Sequence, residues 1–326
     1  MNDGDSPVQY INSVQNNIQN IFMQKAINFQ EHSYEQHKKE FLKYSLRGDK
    51  AAHAKTWLEN DTVDAWRHQR MYKMIDPILY SEPNTKWLTV GDGRYGKDAK
   101  YIMTSGCYAL ATDISDILLK EGVDSGYISE YKQENAESLS FNDLSFDYVF
   151  CKESYHHFPR PMIALYEMLR VSSKGVILIE PNDKYINDNI SEILFRTIRQ
   201  LIKKILGLNV SKHGFEDSGN YVFRISKREI EKVALGLSFN VVAFKGINDA
   251  YYAGVEYEKF SDNGPLKRKV KGLIIMQDFL CKLGLINYGL LAAILFKKKP
   301  STTLIKELAN DGYEILNLPD NPYTTI

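Results

Sequence analysis

Residues 87–96 read WLTVGDGRYG, a short apolar run that breaks into three glycines, Gly91, Gly93 and Gly96. An apolar, β-branched-containing run followed by glycines describes a buried strand turning sharply into a helix, because a residue without Cβ lets the backbone reverse and approach a ligand closely. The spacing matches the glycine fingerprint of nucleotide-binding crossovers, although a tight turn with no ligand has the same spacing. YGKDAKYIMTSG (95–106) predicts the helix, stopped by glycine. CYALATDI (107–114) is then a second strand with Asp113 near its end, about twenty residues past the turn, where a carboxylate can accept both hydroxyls of a ribose. Asp113 can equally cap the helix that starts at Ser115-Asp116.

The alternation continues outward. SDILLKEGVDSG (115–126) reads as a helix, Ser145 to Cys151 as a strand, MIALYEMLRVSSKG (162–175) as a helix stopped by Gly175, and VILIEP (176–181) as a strand. Ser226 with Glu229 three later is a capping-box pattern; it opens a helix that leads into NVVAFKGI (240–247), and LLAAILF (290–296) is a further strand. Strands alternating with helices mean crossovers and a parallel sheet buried on both faces. The expected architecture is α/β, a Rossmann-like doubly wound, mostly parallel sheet of about seven strands. It occupies 86–300, with helical insertions near 183–220 and 248–288. Residues 1–85 form an N-terminal helical region, a lid or an interface, with apolar spacing at Ile11, Val14, Ile18, Ile21 and Phe22 and a helix start at Asp61 to Asp64. Residues 301–326 add a helix and a strand-like tail.

Composition narrows the function classes. The 326 residues are 44% hydrophobic and 25% charged, with 41 basic and 41 acidic side chains, so the formal net charge is zero. Nothing global draws such a chain to nucleic acid. Cys107, Cys151 and Cys281 have no metal-ligand spacing, which makes a disulfide framework unexpected and a reducing cytoplasm the simplest compartment. The polar start, MNDGDSPVQY, is no signal peptide. Gly272 to Phe296 is apolar and long enough to span a bilayer, but Asp278, Lys282 and Asn287 interrupt it. It reads as a helix followed by a buried strand, and a peripheral membrane contact stays open.

Between the second strand and the Glu180-Pro181 strand end lie Asn135-Ala136-Glu137, then Leu139-Ser140-Phe141, then Ser145-Phe146-Asp147-Tyr148-Val149, then His156-His157. In this order the chain resembles the class I S-adenosylmethionine-dependent methyltransferases, in the branch with small-molecule or glycan acceptors. The resemblance covers about 86–182 and, more loosely, 220–300. It implies S-adenosylmethionine as cofactor, with Gly91, Asp92, Gly93 and Gly96 at its methionine end and Asp113 with Ile114 at the ribose. Asn135, Ala136 and Glu137 would stand near adenine, and Lys152 and Glu153 near the sulfonium and amino-acid portion. Two departures stand out. Thr89 occupies a position that is usually acidic, so Asp92 or Glu153 would have to supply that carboxylate, and the third glycine falls one place late.

A hydroxyl acceptor usually needs a base, and histidine titrates near neutral pH. His156 and His157 are the catalytic candidates, although the pair recurs in this family with different acceptors and can serve to fix the loop. Glu180, Asn182, His213, Tyr221 and Arg224 are the acceptor candidates, a polar and aromatic mixture that suits a polyol such as a sugar of a surface polysaccharide. Arg70 or Tyr72 could reach the ligand, but a solvated helix face is the simpler reading of Trp66 to Tyr72. No carboxylate cluster for a metal is evident. The expected activity is methyl transfer to a hydroxyl, less readily an amine, of a small or glycan-like acceptor. A natural-product or quinone-type methyltransferase is the second reading. A nicotinamide-dependent oxidoreductase and a non-catalytic nucleoside-binding protein are the readings from other classes. Homo-oligomerisation stays open.

Overall fold

The computed structural model describes residues 29–183, 190–207, 214–215 and 221–323. The expected helix at Ile11 to Phe22, and His213 among the acceptor candidates, lie outside the described residues.

Eight strands form one sheet in the order β3-β2-β1-β4-β5-β7-β6-β8. β1 (Lys86–Val90), β2 (Tyr108–Asp113), β3 (Tyr131–Gln133), β4 (Phe146–Lys152) and β5 (Ser172–Pro181) pair in parallel. β7 (Leu290–Phe296) runs antiparallel between β5 and β6 (Val241–Ile247), and β8 (Glu314–Asn317) closes the edge antiparallel to β6. The sheet has one strand more than expected. The missed strand is β3, only three residues long and exposed along most of its length, so it carries no apolar run.

The helices follow from local signals. Helical residues 29–45 are α1; α2 (Asp49–Thr56) follows, then α3 (Val63–Tyr72), whose Thr62 hydroxyl accepts from Ala65 N at 3.0 Å. α4 (Asp76–Ser81) leads into β1. α5 (Lys97–Thr104), α6 (Ile117–Asp124) and α7 (Pro161–Val171) are the crossovers. α7 ends earlier than expected, because Ser172 to Gly175 already belong to β5; Gly175 sits where a Cβ would lie 2.6 Å from the Leu295 carbonyl, so the glycine permits strand contact rather than stopping a helix. α8 (Ile190–Ile205) and α10 (Pro265–Lys282) stand in the two insertions, while α9 (Lys227–Gly236) and α11 (Thr302–Asn310) carry serine caps. The Ser226 hydroxyl accepts from Glu229 N at 3.1 Å, as the capping-box pattern predicts.

Two apolar layers sandwich the sheet. One gathers Trp87, Tyr148, Phe150, Ile177 and Ile294 with α4, α5 and α11; the other gathers Leu88, Val149, Leu178, Val242 and Leu295 with α7 and α9. Buried on both faces, strands such as LLAAILF are apolar at every position, which is why it mimics part of a membrane span. Among the described residues no helix is long and apolar enough to cross a membrane.

Candidate active site

A cavity of about 760 Å³ opens at the C-terminal ends of β1, β2 and β4. Its floor is the glycine turn. Gly91 adopts φ +76°, and a Cβ there would lie 2.3 Å from Ser154 Cβ, so only glycine fits. A Cβ on Gly93 would meet the Phe41 ring at 2.6 Å and Asp113 Oδ2 at 2.8 Å. Gly96 does not face the cavity; its φ is +74°, and a Cβ would lie 2.5 Å from Ile128, which makes it a packing glycine between α5 and the neighbouring turn.

Asp92 locks this turn. Its carboxylate accepts from Asp98 N (3.0 Å), Ala99 N (2.9 Å) and the Thr89 hydroxyl (2.8 Å), capping the first turn of α5. Burial and the neighbouring Asp98 push the Asp92 carboxyl well above its ordinary value. Thr89 is therefore a donor to Asp92. Glu153, in left-handed backbone at φ +50°, places Oε2 3.4 Å from His68 Nδ1 and 3.8 Å from Lys152 Nζ.

Asp113 ends β2 and lines the cavity beside Ile114. Its Oδ1 accepts from Ser115 N at 2.8 Å, which fixes the turn after β2; α6 itself starts at Ile117 with Asp116 at its cap position, so Asp113 is not the helix cap. Burial raises its carboxyl to about 7 against the pull of the backbone donors of Ser115, Gly93 and Ile114. Asn135 and Ala136 lie in the next loop; Asn135 Oδ1 accepts from Glu137 N at 2.9 Å. Glu137 is engaged by the protein itself. It accepts from Arg160 N (2.6 Å), Arg160 Nε (2.7 Å) and the Tyr34 hydroxyl (2.6 Å), which ties α1 over the cavity. Burial and Glu137 lift the Tyr34 phenol to about 12, so it stays a donor.

The N-terminal helices cover the cavity with side chains that the sequence reading did not single out. Tyr34, His37, Phe41 and Tyr44 of α1 and Trp57 after α2 line the cavity, with Arg94 stacked 4.8 Å over the Trp57 ring. The expectation of a solvated face for Trp66 to Tyr72 is corrected. Arg67, His68, Met71 and Tyr72 are buried, because α3 packs beneath the cavity and not on the surface. Arg67 pairs with Asp64 (2.7 Å) and with Asp249, and the Tyr72 hydroxyl donates to Asp98 at 2.8 Å. Arg70 instead donates to the Asn248 carbonyl at 2.8 Å and is not among the lining residues. His68 sits between Lys152 Nζ (3.4 Å) and Arg94 (3.3 Å). Burial, then those two cations, hold its pKa well below the usual value, so it is neutral. Burial pulls Lys97 down to about 8, with Lys152 and Arg94 adding to the effect.

His156 and His157 occupy the 3-10 turn after β4 and line the same cavity. Glu180, at 0% exposure, accepts from Ser154 N (2.8 Å), Tyr155 N (2.9 Å) and His156 Nδ1 (2.6 Å). The acceptor role expected of Glu180 does not fit a carboxylate enclosed in this way; it fixes the turn and orients His156. The His156 and His157 rings stand 4.0 Å apart, and His37 of α1 lies 5.5 Å from His157. Asn182 is spent on the Tyr288 and Gly289 carbonyls at 3.0 Å. Asn182, Tyr221 and Arg224 are not among the residues lining the cavity.

These residues fit a sulfonium nucleoside. The glycines let Ser154, the Phe41 ring and the Asp113 carboxylate close against the turn at the cavity wall, and Asp113 offers an acceptor there. Arg94, Lys97 and Lys152 line the same cavity and are cations that would suit a carboxylate such as that of the methionine portion. S-adenosylmethionine, when bound, supplies an already activated methyl group. The chain's residues would have to align the acceptor with it and exclude water, and the α1 roof with its Tyr34–Glu137–Arg160 tie covers the cavity on one side.

A family model described as "Methyltransferase domain" matches residues 88–179. No curated protein sequence matches. Solved structures with a similar chain path include the YcgJ protein of Bacillus subtilis, at 17% identity over 70% of this chain and 99% of that one, TM-score 0.43. An S-adenosylmethionine-dependent methyltransferase of Methanosarcina mazei shows 18% identity over 69% and 98%, TM-score 0.43. Magnesium protoporphyrin IX methyltransferase of Synechocystis PCC 6803, solved with S-adenosylhomocysteine, shows 12% identity over 71% and 84%, TM-score 0.43. The family match falls on the residues that build the site: across 88–179 the chain is similar to a methyltransferase domain, for which S-adenosylmethionine is the implied cofactor.

Proposed function

We propose that this methyltransferase acts on a hydroxyl, and less readily on an amine, of a small or glycan-like acceptor in the reducing interior of the cell. The observation that supports this most is His156, held through Nδ1 by the buried Glu180 at 2.6 Å, with His157 against it at the cavity wall. A histidine oriented by a carboxylate is suited to take the proton that a hydroxyl loses as it attacks a methyl group. Glu180 acts here as a positioning residue. The cavity is also lined by charged and polar groups, among them Asp64, Arg67, Lys97, Lys152 and Glu256, which suits an acceptor that is itself polar. At about 760 Å³ the enclosed volume must also hold the cofactor, so the acceptor is small or enters by one end.

The second reading, a natural-product or quinone-type acceptor, is favoured by one feature, the aromatic wall of Phe41, Tyr44 and Trp57, whose ring centroids are 6.1 and 5.0 Å apart. Incubating the protein with methyl-labelled S-adenosylmethionine and cell extract, then separating glycan, polar small-molecule and apolar pools, distinguishes the two. Label in the glycan or polar pool supports the first reading. Label confined to the apolar pool replaces it with the second.

A further inference from the structure

Two helices outside the cavity expose what soluble helices bury. In α8 the side chains of Leu194, Ile198, Leu201, Ile202 and Ile205 fall on one helical stripe and are 46–74% exposed. In α10, Ile275, Met276, Phe279 and Leu283 do the same at 52–62%. The inner face of α10 is satisfied: Val270 and Ile274 pack with Val63 and Val255, so its outer apolar stripe is surplus to the fold. An amphipathic helix whose apolar face meets water in the folded chain is built to meet something else.

Charge indicates what. The whole chain has a formal net charge of zero. Within α8, Arg196, Arg199, Lys203 and Lys204 outnumber Glu192, a net of +3, and within α10, Lys267, Arg268, Lys269, Lys271 and Lys282 outnumber Asp278, a net of +4. Excess positive charge is thus concentrated in the two segments that expose apolar stripes. On α10 the two properties share one face, with Arg268, Ile275, Met276, Phe279, Lys282 and Leu283 all exposed at helical spacing.

The topology roots both segments at one end of the sheet. The α8 insertion leaves at Pro181 and the α10 insertion leaves at Ile247 and returns at Leu290, and Leu290 pairs with both Pro181 and Ile247. Asn182 N donates to the Gly289 carbonyl at 3.0 Å, so the insertions start side by side. This is the end at which the cavity opens. We propose that α8 and α10 form a docking surface for an anionic lipid bilayer, lying in its headgroup region and presenting the cavity end of the sheet to it. The inference does not depend on which atom is methylated.

Flotation of the full chain with vesicles tests it. The chain should float with vesicles of equal parts phosphatidylglycerol and phosphatidylcholine, and at least tenfold less with phosphatidylcholine alone. The pairs Leu201→Glu with Ile205→Glu, and Ile275→Glu with Phe279→Glu, should each reduce flotation at least tenfold while S-adenosylhomocysteine binding stays at the wild-type level. Flotation of the unaltered chain should also fall in about 1 M salt, where surface charges are screened. Absence of flotation with the anionic vesicles, or flotation unchanged by both pairs, overturns the proposal. A dimer in sedimentation that the same pairs dissociate overturns it as well and assigns the face to a second copy of the chain.

Discussion

Replacing Asp113 by Asn separates the cofactor role of this carboxylate from its structural one. In the folded chain burial raises its carboxyl from 3.8 to about 7, a cost to the ionised form on the order of 4 kcal/mol. The sign follows from where the proton sits. The folded-state value lies above the unfolded one, so stability of the ligand-free chain falls as pH rises between them and recovers as the carboxyl is protonated. Asn carries no charge, so the ligand-free D113N variant should be no less stable than wild type at pH 8, and its melting temperature should not show the wild type's decline between pH 5 and pH 8. Its Oδ1 can keep the 2.8 Å bond from Ser115 N, which preserves the turn. Binding should behave oppositely. Two ribose hydroxyls donating to a carboxylate are worth about 1.5–3 kcal/mol each, and an amide recovers part of one. A net loss of about 2–4 kcal/mol predicts S-adenosylhomocysteine binding roughly 30- to 1000-fold weaker, read by titration calorimetry at pH 8. D113N that binds within threefold of wild type while keeping its fold would refute the ribose assignment.

Three further outcomes follow from the same geometry. His156→Ala and His157→Ala, assayed with the acceptor once found, should leave S-adenosylhomocysteine binding intact, and at least one should lower kcat by about 100-fold or more; near-full turnover in both removes the base assignment. Tyr34→Phe deletes the 2.6 Å bond to Glu137 and should weaken cofactor binding several-fold, about 1 kcal/mol, by loosening α1, with little change in melting temperature. Because Asp113 is raised to about 7 and hydroxyl donors favour its ionised form, cofactor binding at pH 6 should release a proton; calorimetry in buffers of different ionisation enthalpy measures it, and no proton release contradicts the cause assigned to the shift.

What the sequence made legible was local. Gly91, Gly93 and Asp113 sit in one crossover, where spacing alone brings a turn and a strand end together, and the same holds for Asn135 and His156 at the ends of the next two connections. What it concealed was distant or compensated. Tyr34 reaches Glu137 across 103 residues, and Arg67 reaches Asp249 across 182, contacts that no periodicity announces. Glu180 read as a ligand contact because it ends a strand at the cavity's end of the sheet, but the backbone N–H groups of Ser154 and Tyr155 need an acceptor and take it. Tyr131 to Gln133 escaped notice because an edge strand of three residues has too little buried face to pattern. His68 was hidden for the converse reason: the polar and charged residues around it, Arg67, Gln69 and Arg70, look like a wet helix face until α3 is placed under the cavity.

The central claim is that the cavity between the glycine turn and α1 receives a sulfonium nucleoside. Titration calorimetry of the purified chain with S-adenosylhomocysteine, and in parallel with NAD, tests it most directly. The account predicts one site for S-adenosylhomocysteine with a Kd on the order of micromolar and no heat from NAD at the same concentrations. Heat from NAD alone, or none from S-adenosylhomocysteine at millimolar concentration, would contradict it.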